Sequence, residues 1–201
     1  MENQELMQKN KELFNLAAKY YDNWLVKVLS KYEFKKIFKH IKIKDNSKIL
    51  DAGCGTGNLL VNLNKKAKNL RLYGIDISEE MLKVAKRKLE NKVKLQLMPV
   101  EKIKFKENSF DYVFSTETFH HFSNSKKAIG NFYKILKRNG KLIVLDFDFG
   151  FLLNKFFHFV EPGNNKMHSS REFRILFKQY KFKNIIQKRF GLFLILTIGE
   201  K

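Results

Sequence analysis

The sequence predicts an α/β fold: a doubly wound, mostly parallel sheet with helices on both faces and an antiparallel hairpin at its C-terminal end. Three observations predict it. From Lys48 onward, short apolar runs alternate with amphipathic stretches, the pattern of βαβ units. The stretch KILDAGCGTGNLL, from Lys48 to Leu60, leads an apolar run into an acid, then places glycine at 53, 55 and 57 before turning apolar again. Near the C-terminus, Gly191 joins two apolar segments through a link too short for a parallel crossover.

The elements follow in order. Helical spacing runs from Asn3 to about His40, with Leu13, Leu16 and Ala17, then Trp24, Leu25, Val28 and Leu29, recurring every three or four residues. Strands are expected at Lys48–Ala52, Arg71–Asp76, Val93–Met98, Asp111–Ser115 and Lys141–Phe147. Helices of about Asn58–Lys66, Glu79–Leu89 and Ser125–Lys137 lie between them. Ser78 caps the second of these, with Glu79 and Glu80 facing the positive end of the dipole. Asn139-Gly140 is read as the end of the third. After Pro162 a helix starts on Ser169 or Ser170, and strands of about Asn184–Arg189 and Leu192–Ile198 close the chain as an antiparallel pair.

Composition excludes several classes. The chain has 201 residues, 44% hydrophobic, enough for one domain with a sizeable core and too apolar for a disordered chain. No run reaches transmembrane length and the N-terminus is polar, so a cytosolic protein without a membrane span is expected. Cys54 is the single cysteine, which agrees with a reducing compartment, and it is read as a small loop filler. The formal charge is +20, yet only six of the 40 basic side chains are arginine. Lysine is dispersed along the chain, densest at 35–44 and 178–189. A solvated basic surface is the preferred reading over a nucleic-acid partner, which the charge allows without favouring.

The glycine stretch lies where an open α/β sheet binds ligands, beyond the carboxyl end of a strand. Asp76 ends the next strand, 19 residues after Gly57. A carboxylate there suits the two hydroxyls of a ribose. The GxGxG spacing, closely preceded by Asp51, differs from the GxGxxG of dinucleotide sites. An acid at that place repels a pyrophosphate and suits an ammonium or sulfonium.

LDAGCGTG resembles the first motif of the class I S-adenosylmethionine-dependent methyltransferases. YGIDISEEML (73–82) is similar to their acidic second motif, SFDYVFSTETFHHF (109–122) to their fourth strand, and LKRNGKLIVLD (136–146) to the turn into the fifth. FNLAAKYYD (14–22) resembles a pocket-closing segment of the quinone and small-molecule subgroup, matching at Phe14, Ala18, Tyr21 and Asp22. The resemblance implies a Rossmann-like fold and a single methyltransferase domain. Residues 1–45 would form a helical cap, 46–147 the cofactor-binding core, 148–168 a substrate-side insertion, and 169–201 the last helix and hairpin.

It also implies roles. Asp51 with the backbone of Gly53 and Gly55 would face the methionyl part of S-adenosylmethionine, and Gly57 would complete the turn. Asp76 would hold the ribose, while Ile77 and Met81 would pack on adenine. Val100, Glu101, Ser115 and Tyr21 are further expected cofactor contacts. Where the family often has Gly-Asp-Ala-Glu, this chain has Met98-Pro99-Val100-Glu101, so no Asp meets the adenine amino group. The methyl acceptor would enter beyond the fourth strand, where His120 and His121 are candidate general bases and Glu117 a candidate to orient a polar acceptor. The Pro-Pro motif of base N-methyltransferases is missing there. His158 and His168 lie in the aromatic insertion 148–168, and no histidine has metal-ligand spacing, so no metal is expected. The favoured function is methyl transfer to a small-molecule acceptor by direct displacement. RNA methylation and a non-catalytic cofactor-binding scaffold remain the alternatives, and the oligomeric state is left open.

Overall fold

The computed structural model describes residues 2–21, 24–90, 92–150 and 165–201. Helices α1 (Glu2–Ala17) and α2 (Trp24–His40) precede β1 (Lys48–Ala52), α3 (Asn58–Leu63), β2 (Arg71–Asp76), α4 (Glu79–Leu89) and β3 (Lys94–Leu97). Then come β4 (Phe110–Thr116), α5 (Ser125–Ile135), β5 (Leu136–Phe147), α6 (Ser170–Gln179), β6 (Lys183–Phe190) and β7 (Leu194–Glu200). The seven strands lie in the order β3-β2-β1-β4-β5-β7-β6. The first five run parallel, and β7 is antiparallel to both its neighbours. Chain order reverses between β1 and β4, which opens a crevice at their carboxyl ends.

Alternation along the central strands divides the core between two faces. Leu50, Val113, Leu142 and Val144 meet α5 and α6 through Ile129, Phe132, Phe173 and Phe177. Ile49, Phe114, Ile143 and Leu145 meet α2, α3 and α4 through Ile37, Leu60, Leu63 and Ala85. Caps set the helix starts. The Ser78 hydroxyl accepts from Met81 N–H, and Ser169 with Glu172 forms a capping box at α6.

The expected parallel core and antiparallel terminal pair are observed. Several boundaries shift for identifiable reasons. Helix α5 ends at Ile135 rather than Lys137, because Leu136 already pairs with Phe110 and the LKRNG stretch enters β5 through an irregularity. Asn139-Gly140 is therefore part of that strand, not a helix stop; Asn139 takes a positive φ of 62° and donates to the Lys201 carbonyl. Gly140 is needed there, since a Cβ would lie 2.8 Å from the Lys137 carbonyl. The α3 helix stops at Leu63, short of Lys66. The last strand lies inside the sheet, between β5 and β6. Most of the 148–168 insertion, with His158, and Asp22 of the N-terminal segment lie outside the described residues.

Phe114 is fully buried on the central strand β4. Phe114→Ala is expected to destabilise the fold by about 3–5 kcal/mol, read as a lower urea midpoint at unchanged slope.

Candidate active site

A cavity opens at the carboxyl ends of β1, β2 and β4. Its floor is Asp51 with Gly53 to Thr56 and Asn58 of the following turn, and one side is formed by Asp76, Ile77, Met81, Met98 and Val100. Across from these stand Thr116, Glu117, Thr118 and His121. Helix α1 covers the mouth with Met7, Asn10 and Phe14, and Tyr21, Glu33 and Phe34 complete the wall. Polar and ring contacts seat α1: Ser78 Oγ donates to Asn15 Oδ1 at 2.7 Å, Asn10 Nδ2 donates to the His121 carbonyl at 2.9 Å, and Phe14 meets the His121 ring edge-on.

The two strand-end acids differ in partners. Asp76 Oδ2 accepts from Gly55 N–H at 2.8 Å and Oδ1 from Ser78 N–H at 2.9 Å. Burial raises its pKa, and these backbone donors partly oppose the rise. Asp51 is 1% exposed, and neither carboxylate oxygen has a hydrogen-bond partner among the described residues. Burial, with the nearby Asp76 charge, pushes its pKa up to about 8. An ionised Asp51 needs a donor or a cation that the described residues do not supply.

The three glycines serve three purposes. A Cβ on Gly53 would collide with the Thr118 side chain, so this position is bare for packing of the β4 turn. A Cβ on Gly57 would lie 2.9 Å from Leu89 Cδ1, so that glycine lets α3 and α4 approach. Only Gly55, at φ 49°, fronts open space in the cavity.

Beyond β4, Glu117 takes a left-handed φ of 52° and donates its N–H to the Leu145 carbonyl. Its carboxyl hydrogen-bonds that of Glu33 from α2. Burial, followed by the bond to and charge of Glu117, pushes Glu33 up to about 9. A tight turn at Phe119–His121 follows and holds both histidines, their ring centroids 3.9 Å apart. His120 is 2% exposed, with its N–H and ring Nδ1 both on the Asp146 carboxylate at 2.9 and 2.5 Å. Burial alone would raise Asp146, but the His120 charge and hydrogen bond outweigh it and hold the carboxyl below its usual range. His121 lies on the wall.

The structure thus brings Asp51, Gly53, Gly55, Asp76, Ile77, Met81, Val100, Glu101, Glu117, His121 and Tyr21 to one cavity. Gly57, Ser115 and His120 are not on its wall. Ser115 is fully buried one residue before the strand end, on the face opposite Phe114, and His120 is held inward by Asp146. Glu101 reaches the cavity, but its Oε1 accepts from Ser123 Oγ and Asn124 N–H, which braces the start of α5. Cys54 is buried with its thiol pKa raised by that burial, consistent with a filler. His168 packs against Phe119 and Phe173, away from the cavity. Sequence reading missed Asn10, Glu33 and Thr118. Glu33 had one signal, an isolated acid in the basic stretch SKYEFKK.

Residues 43–189 match the family model described as a methyltransferase domain. The chain belongs to the methyltransferase domain family. The ubiquinone/menaquinone biosynthesis C-methyltransferase UbiE of Rickettsia bellii is 31% identical over 213 residues, covering 88% of this chain and 85% of that protein. The phosphoethanolamine N-methyltransferase of Plasmodium falciparum is 29% identical over 161 residues, covering 77% of this chain and 60% of its own length. Among solved structures, Haemonchus contortus phosphoethanolamine N-methyltransferase 2, in complex with phosphomonomethylethanolamine and S-adenosylhomocysteine, superposes with a TM-score of 0.75 at 20% identity. That match covers 85% of this chain and 52% of the other.

The wall of this methyltransferase fits the donor that the sequence motifs imply. The orphaned Asp51 carboxylate suits a cation, Asp76 has lone pairs left for two hydroxyls, and Gly55 leaves space between them. Because Asp51 holds its proton up to about pH 8 and a bound cation favours the ionised form, binding at lower pH expels a proton. S-adenosylmethionine affinity is therefore expected to rise between pH 6 and 8, by at most about tenfold per unit, and then level. Calorimetry across that range checks this, and Asp51→Asn is expected to flatten the slope.

Proposed function

We propose that this chain transfers a methyl group from S-adenosylmethionine to a small-molecule acceptor by direct displacement. The observation that carries the reading is the buried, unpartnered Asp51 carboxylate facing the same cavity as Asp76 and the bare face of Gly55. When bound, the donor supplies an electrophilic methyl group on a positively charged sulfur. The protein's part is alignment and exclusion of water. Asp51 takes the donor's ammonium, Asp76 the ribose hydroxyls, and Ile77 and Met81 the adenine face. With Pro99 at the position that often carries an acid, the adenine amino group is left to backbone carbonyls or Glu101. Helix α1, seated by Asn10, Phe14 and Asn15, closes the mouth. His121 and Glu117 stand on the side from which the acceptor enters, past β4.

A small acceptor is supported by the wall's composition. No lysine or arginine is among the described lining residues, so RNA phosphates would find no cation there. The reading extends to a cytoplasmic enzyme, which the single free cysteine supports. Among the described residues no helix is long and apolar enough to cross a membrane.

Calorimetry with S-adenosylhomocysteine tests the pocket. Asp76→Ala removes a charged acceptor serving two hydroxyls and is expected to cost about 1.5–3 kcal/mol, roughly ten- to a hundredfold in Kd. Gly55→Val places a side chain in the open space and is expected to abolish binding in a folded protein. Unchanged affinity in either variant would refute the pocket assignment.

A further inference from the structure

The chain carries 40 lysines and arginines, yet its cavity is acidic. Asp51, Asp76, Glu33, Glu117 and Glu101 all line it. The first two stand at the donor's end, and Glu101 braces α5. Glu33 and Glu117 are left over. They come from different elements, α2 and the turn after β4, and meet on the acceptor's side through a carboxyl–carboxyl hydrogen bond.

Asn10 adds an independent observation. It is 1% exposed on α1 and lines the same cavity. Its Nδ2 donates to the His121 carbonyl, which fixes the amide's orientation. Its Oδ1 is then a buried acceptor with no hydrogen-bond partner among the described residues. A buried acceptor left unmatched is costly, and a ligand that donates to it removes the cost. An acceptor amide and a carboxyl pair together call for several N–H donors and a positive charge. A hydroxyl brings one donor and a carbon acid none, while a phosphate would be repelled.

We propose that Asn10, Glu33 and Glu117 form a cation subsite, and that the methyl acceptor is a small primary or secondary amine entering as its ammonium ion. This rests on the methyl-transfer reading above. Phe14, Phe122 and His121 on the same wall accommodate an aryl or alkyl body. The other charged groups acting on the pair are Lys36 of α2, and His120 and Asp146 near Glu117.

The proton balance closes. Glu33 holds its proton up to about pH 9, and an arriving ammonium favours ionisation of its partner Glu117, so the occupied pair carries one proton and one charge. The ammonium passes a proton to the ionised carboxylate and becomes a neutral amine. Its lone pair forms the new C–N bond as the C–S bond breaks, with that bonding pair staying on sulfur. The product leaves as a methylated ammonium ion, and the pair returns its extra proton to water.

The test follows S-adenosylhomocysteine production and methylated product by mass spectrometry. The acceptors are benzylamine, phenethylamine and N-methylbenzylamine, the matched alcohols and thiols, and 1,4-naphthohydroquinone. The expected result is product from the amines alone. Glu117→Gln and Glu33→Gln are expected to lower amine kcat/KM at least tenfold while S-adenosylhomocysteine affinity stays within about threefold. Asn10→Ala is expected to raise the amine KM. A thermal melt confirms that each variant is folded, and the isosteric Gln changes retain hydrogen bonding. Cofactor binding with product only from alcohols, thiols or the hydroquinone overturns the amine subsite and leaves methyl transfer standing. Cofactor binding with no product from any amine, or undiminished amine turnover in both Gln variants, overturns it too. Failure of the wild-type chain to bind S-adenosylhomocysteine overturns the methyl-transfer reading itself.

Discussion

The Asp76 carboxylate spans two loops that chain order keeps apart. One oxygen holds the N–H of Gly55, in the turn after β1, and the other the N–H of Ser78, at the start of α4. Ser78 in turn caps α4 and holds Asn15 of α1 through its hydroxyl. One charged acceptor thus ties together the floor, one side and the cover of the cavity. Hydrogen bonds to a charged carboxylate are stronger than neutral ones, and their backbone donors have no side-chain entropy to lose. The bare Gly55 therefore sits at a set distance from the strand-end acids, held at a φ of 49° although a residue without a Cβ could adopt other conformations.

The second constraint is electrostatic. In a chain of formal charge +20, the buried acids among the described residues, Asp51, Asp76, Asp146 and Asp148, stand toward the carboxyl end of the parallel strands, and burial and mutual repulsion make ionisation unfavourable at Asp51 and at nearby Glu33. Asp51 and Glu33 hold protons near neutrality, whereas Asp146, buried as deeply as Asp51, stays ionised because His120 faces it. The difference among these acids lies in the partner each one has. Where the fold supplies a partner the site is closed, as at Asp146. Where the described residues supply none, as at Asp51 and Asn10 Oδ1, the polar group is left for a ligand.

Much of the fold was legible because its signals are local. Apolar runs of strand length, the Ser78 cap, the Ser169 capping position and the short Gly191 link each act within a few residues, and each appears in the structure. The misread segment, LKRNG, looked like a helix stop because Asn-Gly is a strong local turn signal. A non-local pairing of Leu136 with Phe110 overrode it. The placement of β7 between β5 and β6 has no local signature either, since adjacency in a sheet is decided by how the whole surface is covered.

The candidate site divides the same way. Sequence alone determined the glycine turn, the acids that end β1 and β2, and the stretch after β4, because each lies within one motif whose spacing reflects its backbone. Tertiary structure decided which of the three glycines faces open space, which histidine points outward, and that Glu33 from α2, Glu117 and Asn10 from α1 line one cavity. Those outcomes depend on how helices cross the end of the sheet. That crossing is set by side-chain packing between residues far apart in the chain, and no spacing along the sequence encodes it.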